Sequence, residues 1–314
     1  MPNGEDPRGL FRRFDGNPIL TATDWPYPVN AVFNAAATRF NGRTLLMVRV
    51  EDFRGISHLT VATSKDGFTD WRVDEQPILD ADSGVPVESW GLEDARIVHL
   101  AEEQKYVICY TGYSRGGPVV CLATTDDFKS YKRCGAILPP SNKDASIFPR
   151  KINGQYVLLH RPAFSGQSAH MWIAKSPDLQ HWGQHALLMQ ARPGWWDSQK
   201  IGLGPQPIET SDGWLILYHG VRITASGSIY RLGLVLLDLD DPAKVIHRSQ
   251  QWVFGPATDY ERVGDVGNAN FPCGVVVDEQ QDELYLYYGA ADTCLAVATA
   301  KVSELLEFLK RDSQ

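Results

Sequence analysis

Asn41-Gly42-Arg43-Thr44-Leu45-Leu46-Met47-Val48-Arg49 reads as a tight turn followed by an apolar strand that ends in arginine. Asn-Gly supplies the positive φ that a hairpin turn demands, and the apolar run behind it suits a strand buried on both faces. The same grammar returns at Asn153-Gly154-Gln155-Tyr156-Val157-Leu158-Leu159-His160-Arg161, with arginine again eight residues after asparagine. It recurs at Asp212-Gly213-Trp214-Leu215-Ile216-Leu217-Tyr218-His219-Gly220, and weaker copies start at Glu103 and Asp282. Three copies lead on to similar turns, in which Asp66, Asp127 and Asp178 each fall four residues after an alanine. These aspartates are predicted to cap the turns, and the aromatics behind them (Trp71, Tyr131, Trp182) to pack between units. Five units of several short strands, spaced roughly 50–60 residues apart, are the signature of a propeller. The expected fold is therefore all-β: a single five-bladed β-propeller domain over 1–314, with a short C-terminal helix over 303–310 whose N-cap is Ser303.

Composition narrows the function classes. Hydrophobic residues are 43% of the 314 and charged residues 22%, which is ordinary for a globular protein. No apolar run reaches the ~18 residues of a membrane span, so no membrane partner is expected. The polar start Met1-Pro2-Asn3-Gly4-Glu5-Asp6 has no apolar stretch of the kind a signal peptide carries. A net charge of −8 with no basic stripe argues against nucleic acid, so an anion bound here must meet a local cluster of cations. Cys109, Cys121, Cys134, Cys273 and Cys294 are odd in number and lack zinc-type spacing. They predict reduced thiols, a cytoplasmic location and no metal.

A propeller brings the inner strand ends of all its blades to one axial pocket, so equivalent positions in successive units are the ones to compare. The densest cluster is Trp90-Gly91-Leu92-Glu93-Asp94-Ala95-Arg96, two carboxylates and a guanidinium just ahead of an apolar strand. Such groups are costly to desolvate unless they are paired or used. Arg49, Arg161 and His219 end equivalent strands in three units. Like charges aimed at one low-dielectric region imply a bound anion, a carboxylate network, or both. The polar candidates in the other units are Asn34, Glu51 and Asp52, then Lys143, Asp144 and Arg150, then Asp197, Lys200 and Tyr230, and last Asn270, Cys273 and Asp292. His160 reads as a hydrogen-bonded structural histidine.

Taken together, several segments resemble glycoside hydrolase family 130, the β-mannoside phosphorylases and related β-mannosidases. They are Asn34, Gly91-x-Glu93-Asp94-x-Arg96, Asn142-Lys143-Asp144, Leu159-His160-Arg161-Pro162 and Gly194-Trp195-Trp196-Asp197, then Tyr218-His219-Gly220, Tyr230-Arg231-Leu232-Gly233, Phe271-Pro272-Cys273-Gly274 and Tyr287-Tyr288-Gly289-Ala290-Ala291-Asp292. The resemblance covers about residues 17–300. It implies that Asp94 is the catalytic acid, reaching the glycosidic oxygen through a substrate hydroxyl. It further implies that Asn34, Arg49, Glu93, Arg96, Asp197 and Asp292 bind the sugar, and that Lys143, Arg161, His219 and Tyr230 bind phosphate. Two positions depart from the family pattern: Ala95 stands where proline is commoner, and Arg150 where glutamate is commoner.

The implied chemistry is consistent with those residue types. An inverting glycosidase needs an acid for the leaving oxygen and a base to activate water. Phosphate is already an anionic nucleophile and needs only cations and hydroxyls to hold it in line. One acid with a Lys/Arg/His/Tyr cluster therefore favours phosphorolysis of a β-mannoside to α-mannose 1-phosphate and a shortened acceptor. Inorganic phosphate is then the co-substrate, no cofactor is needed, and a β-mannoside oligosaccharide is the partner. Trp25 and Tyr27 are candidates to stack on the acceptor, and such families admit a homo-oligomer whose neighbouring chain completes the acceptor pocket. Three alternatives stand beside this. A β-mannosidase of the same fold would turn over without phosphate. An arabinanase-like enzyme would combine Glu93 or Asp94 with Asp197 and Glu261. A non-enzymatic sugar-binding propeller would repeat one site per blade, whereas the charged residues here differ from unit to unit.

Overall fold

The computed structural model describes residues 9–163 and 166–313. The opening segment, expected to lack a signal peptide, lies outside the described residues. Apart from two α-helices and a few short 3-10 turns the described chain is all-β, and its strands form five antiparallel meanders. The first unit comprises Ala31–Phe40, Arg43–Glu51, Ser57–Ser64 and Arg72–Val73. The second comprises Gly91–Leu100, Lys105–Tyr113, Val119–Thr125 and Lys132–Ala136. The third comprises Asn142–Ile147, Tyr156–Pro162, Met171–Ser176 and Gly183–Met189. The fourth comprises Lys200–Leu203, Gly213–Thr224, Gly227–Leu237 and Val245–Arg248, with Ile208–Thr210 paired alongside. The fifth comprises Asn270–Asp278, Glu283–Ala290 and Cys294–Lys301, and Arg12–Arg13 from the N-terminal end adds its outer strand. Among the described residues no sheet closes on itself. A single parallel bridge, Ser57 to Gly91, joins the first two units.

The turns follow their residues. Asn41-Gly42 and Asn153-Gly154 carry positive φ at both positions (49° and 72°, 51° and 76°), the geometry of the hairpin turn that asparagine and glycine tolerate. Asp66, Asp127 and Asp178 each accept the backbone N–H groups two and three residues on, as predicted for turn caps. Asp238 does the same in the fourth unit. Trp71 and Trp182 each donate their indole N–H to a carbonyl of the same turn.

The apolar interior divides into five clusters, each between consecutive units. One lies between the first and second units around Leu59, Leu92 and Tyr110, and the next between the second and third around Val107, Ile147 and Leu158. A further cluster joins the third and fourth around Leu159, Ile201 and Trp214, and another joins the fourth and fifth around Leu217, Leu234 and Leu286. The last joins the fifth back to the first around Val32, Leu46 and Val297. The leading strands of the fifth, first, second, third and fourth units lie against one another in that order. The C-terminal helix is Val302–Asp312, and Leu305, Leu306 and Leu309 bury into the fourth–fifth cluster. Lys301, not Ser303, is its N-cap. Ser303 sits inside the helix and hydrogen-bonds Asp282, because the preceding strand runs straight into the first turn.

Candidate active site

Three of the leading strands bulge at the same offset. Register slips between Phe33 and Ala36, Glu93 and Arg96, and Lys143 and Ser146 leave Asn34, Asp94 and Asp144 at φ of 49°, 51° and 52°. Asparagine and aspartate tolerate this left-handed conformation better than other L-residues, and a bulge re-aims its side chain. All three side chains are buried.

Asp94 Oδ1 accepts hydrogen bonds from Asn34 Nδ2 at 2.9 Å and from Arg49 Nη1 at 3.0 Å. Burial alone would raise its carboxyl, but Arg49, Lys143 and Arg96 and the Asn34 bond together hold it below the usual carboxylate range. Arg49 also reaches Glu93 at 3.2 Å and donates through Nε to Ser57 Oγ at 2.9 Å. Glu93 meets Lys143 on its other oxygen at 3.6 Å. Asp292, itself at φ 51°, is pushed up to about 6 by burial, with Arg49 opposing and Asp94 adding to the shift.

A second group lies across from Asp94. Arg161 Nε donates to Asp144 Oδ2 at 2.7 Å, and His219 Nε2 lies 3.3 Å from the same oxygen without hydrogen-bond alignment. Arg161 holds Asp144 well below the usual range despite its burial. Burial lowers His219, with Asp144 offsetting only part of the effect, which leaves a neutral ring. Lys200 Nζ sits 5.2 Å from the Tyr230 ring centre, and burial together with Arg161 and Lys143 pulls its ammonium below the usual lysine value. Burial raises the Tyr230 phenol, with Asp292 and Asp144 nearby. Five cationic side chains (Arg49, Arg96, Lys143, Arg161, Lys200) thus face four carboxylates in a chain whose net charge is negative. Several buried polar atoms here make no hydrogen bond within the protein: Asn34 Oδ1, Asp144 Oδ1, both His219 ring nitrogens and the Asn270 amide. Such orphans are expected where a polar ligand binds.

Of the residues singled out in the sequence, Asn34, Arg49, Glu93, Asp94, Lys143, Arg161, His219, Tyr230 and Asp292 come together. Two others are held by protein partners. Arg96 is fully buried and donates to the carbonyls of Asp94, Leu203 and Gly204, which braces the Asp94 bulge. Asp197 is fully buried and is held by Arg192, Arg248 and the Tyr218 hydroxyl, chiefly through Oδ2. Glu261 is likewise consumed, by Arg13, Tyr288 and two backbone N–H groups. The three-carboxylate arrangement of an arabinanase-like enzyme is therefore not assembled. Arg150 pairs with Glu209 and stacks on Trp214, 4.9 Å from the ring centre, a packing role away from the pocket. Trp25 is buried, and the Tyr27 hydroxyl bonds His58 and Thr60. Lys200 and Asp144 carried no assigned role in the sequence reading. The readable signal for Asp144 was the Asn/Asp-Ala pair shared by 34–35, 94–95 and 144–145.

Comparison with known proteins places this geometry among carbohydrate enzymes. The profile of the family described as beta-1,4-mannooligosaccharide phosphorylase, glycoside hydrolase family 130, matches residues 12–311. A beta-1,4-mannooligosaccharide phosphorylase of Ruminococcus albus is 35% identical, covering 98% of this chain and 93% of its own. A 1,2-beta-oligomannan phosphorylase of a Thermoanaerobacter species is 38% identical, covering 94% and 98%. Among solved structures, the beta-1,2-mannobiose phosphorylase of Listeria innocua in complex with beta-1,2-mannobiose superposes with a TM-score of 0.88 at 33% identity, covering 96% and 99%.

Proposed function

Because the chain belongs to glycoside hydrolase family 130, we propose that it is an inverting β-mannoside phosphorylase. It transfers the mannosyl unit of a β-mannoside to inorganic phosphate, giving α-mannose 1-phosphate and a shortened acceptor. The observation that carries this is the group opposite Asp94, where Lys143, Arg161 and Lys200 are held close despite like charge, with His219 and Tyr230 beside them. A phosphate dianion relieves that repulsion and gains charge-assisted hydrogen bonds.

Arg49, Asn34 and Asp292 hold the mannosyl unit over Asp94. Phosphate oxygen attacks the anomeric carbon from the cation side, the glycosidic C–O bond breaks, and Asp94 supplies the proton to the leaving oxygen. Before phosphate binds, the cations around Asp94 keep it ionised. Bound phosphate neutralises those cations, raises the Asp94 carboxyl and lets it carry that proton. Hydrolysis would need a carboxylate basic enough to activate water on the cation side, and Asp144, which lies there, is paired with Arg161 and held well below the usual range, which makes it a weak base.

For the architecture, the five units and the core that returns from the fifth to the first support a five-bladed β-propeller acting as one catalytic domain. The all-thiol cysteines among the described residues suit a reducing, phosphate-rich cytoplasm. Initial rates against phosphate test the assignment. Lys200→Ala is expected to raise the phosphate KM about tenfold or more while the mannoside KM changes little. Equal shifts in both constants would contradict it.

A further inference from the structure

We propose that Trp90, braced by Tyr113, is the platform on which the acceptor side of the substrate stacks, and that it selects acceptor and chain length. This role rests on the mannoside reading above and adds a residue outside the charged pocket. Trp90 is 47% exposed and Tyr113 37%, although each is large and apolar. Their rings meet edge to face, 5.7 Å between centres, so each ring steadies the other while both remain open to solvent.

Position along the strand fits a sugar beyond the scissile bond. Trp90 N–H donates to the Tyr113 carbonyl at 2.8 Å, and Gly91 pairs with Tyr113, so both rings sit where the strand Gly91–Leu100 begins. Asp94 lies at that same end, four residues on. Trp90 is therefore about 10–13 Å from Asp94 along an extended strand, a reach of one to two pyranose rings. The frame is rigid. Gly91, at φ +125°, lies against the Ser57 backbone, where a Cβ would come within 2.8 Å of the Ser57 nitrogen. Ser57 in turn holds Arg49. The platform and the mannosyl-binding arginine thus hang from one bridge.

The chemistry is complementary. A pyranose presents an apolar C–H face that buries against an indole, while its equatorial hydroxyls stay in water. Phosphate gains nothing from such a surface, so the platform serves the sugar alone.

The test uses wild type, Trp90→Ala and Trp90→Phe. In the synthetic direction, Trp90→Ala is expected to raise the KM for mannose, glucose or mannobiose as acceptor about tenfold. The KM for α-mannose 1-phosphate should hold, and Trp90→Phe should restore most of the loss. An unchanged acceptor KM, or an equal rise for α-mannose 1-phosphate, would overturn the proposal. Calorimetry in an Asp94→Asn background without phosphate, where turnover is strongly slowed, reads the same contact without relying on phosphorolysis. Trp90→Ala should there weaken β-1,4- or β-1,2-mannotriose and leave mannose alone, and trisaccharide affinities equal to those with Trp90 intact would again overturn it. If wild type instead releases free mannose regardless of phosphate, the phosphorylase reading fails while calorimetry still decides the platform.

Discussion

Asp292 is the pocket carboxylate that titrates closest to neutrality. Burial lifts it to about 6, so it is ionised above that pH and protonated below it. In the proposed role, only the ionised form balances Arg49 while accepting from the sugar hydroxyls. The expected consequence is an acid limb in kcat/KM for the mannoside centred near pH 6, which Asp292→Asn removes while raising the mannoside KM. A limb that persists in the variant would assign it to another group. At this scale the sequence was informative for Asp94, Arg49 and Arg161, whose charge in apolar company is visible in a linear reading. It could not show the ion pairs of Asp197. The Arg248 that binds it lies 51 residues away, and a guanidinium at that distance cannot be matched to its carboxylate without the fold.

The bulged leading strand is the element that makes the site. It turns Asn34, Asp94 and Asp144 out of the pleat and lets residues of different units meet, as Asn34 and Asp94 do at 2.9 Å. Gly91 fixes one such strand against its neighbour, and a methyl group placed on its Cα would lie within 2.9 Å of both the nitrogen and the oxygen of Ser57. Gly91→Ala is therefore expected to cost about 1–3 kcal/mol of stability, from left-handed strain and the clash together. It should also shift Ser57 and loosen Arg49, so that the mannoside KM rises more than the phosphate KM. Thermal unfolding and two-substrate kinetics check both halves. The strands and the Asn-Gly turns were legible because period and turn chemistry are local. The bulges were not, since a one-residue slip shows only as an Asn/Asp-Ala pair in the chain. The helix N-cap differed by two residues because the strand Cys294–Lys301 runs straight into the first turn, where Ser303 pairs with Asp282.

At the scale of the whole molecule, the five-fold repeat was the strongest sequence signal, and the five inter-unit cores follow from it. What the repeat could not show is how the ends are joined. The strand Arg12–Arg13 pairs with Cys294–Lys301, and Arg13 clamps Glu261 with Nε at 2.7 Å and Nη2 at 2.9 Å while also reaching the Gly255 carbonyl. Both partners are buried. Replacing Arg13 by methionine leaves Glu261 as an uncompensated buried charge, and the expected cost is about 3–5 kcal/mol in denaturant unfolding. A loss below about 1 kcal/mol, as for an exposed pair, would show that this clamp does not hold the N-terminal strand in place.

Asp94 as acid and the cation group as phosphate holder are the two assignments on which the chemistry turns. The most direct measurement follows α-mannose 1-phosphate and free mannose separately from a panel of β-1,4- and β-1,2-mannosides, with and without inorganic phosphate, for wild type and Asp94→Asn. The predicted result is α-mannose 1-phosphate that forms only with phosphate, at a rate that falls about 10²- to 10⁴-fold in the variant. Free mannose released equally well without phosphate, or undiminished turnover by Asp94→Asn, would contradict it.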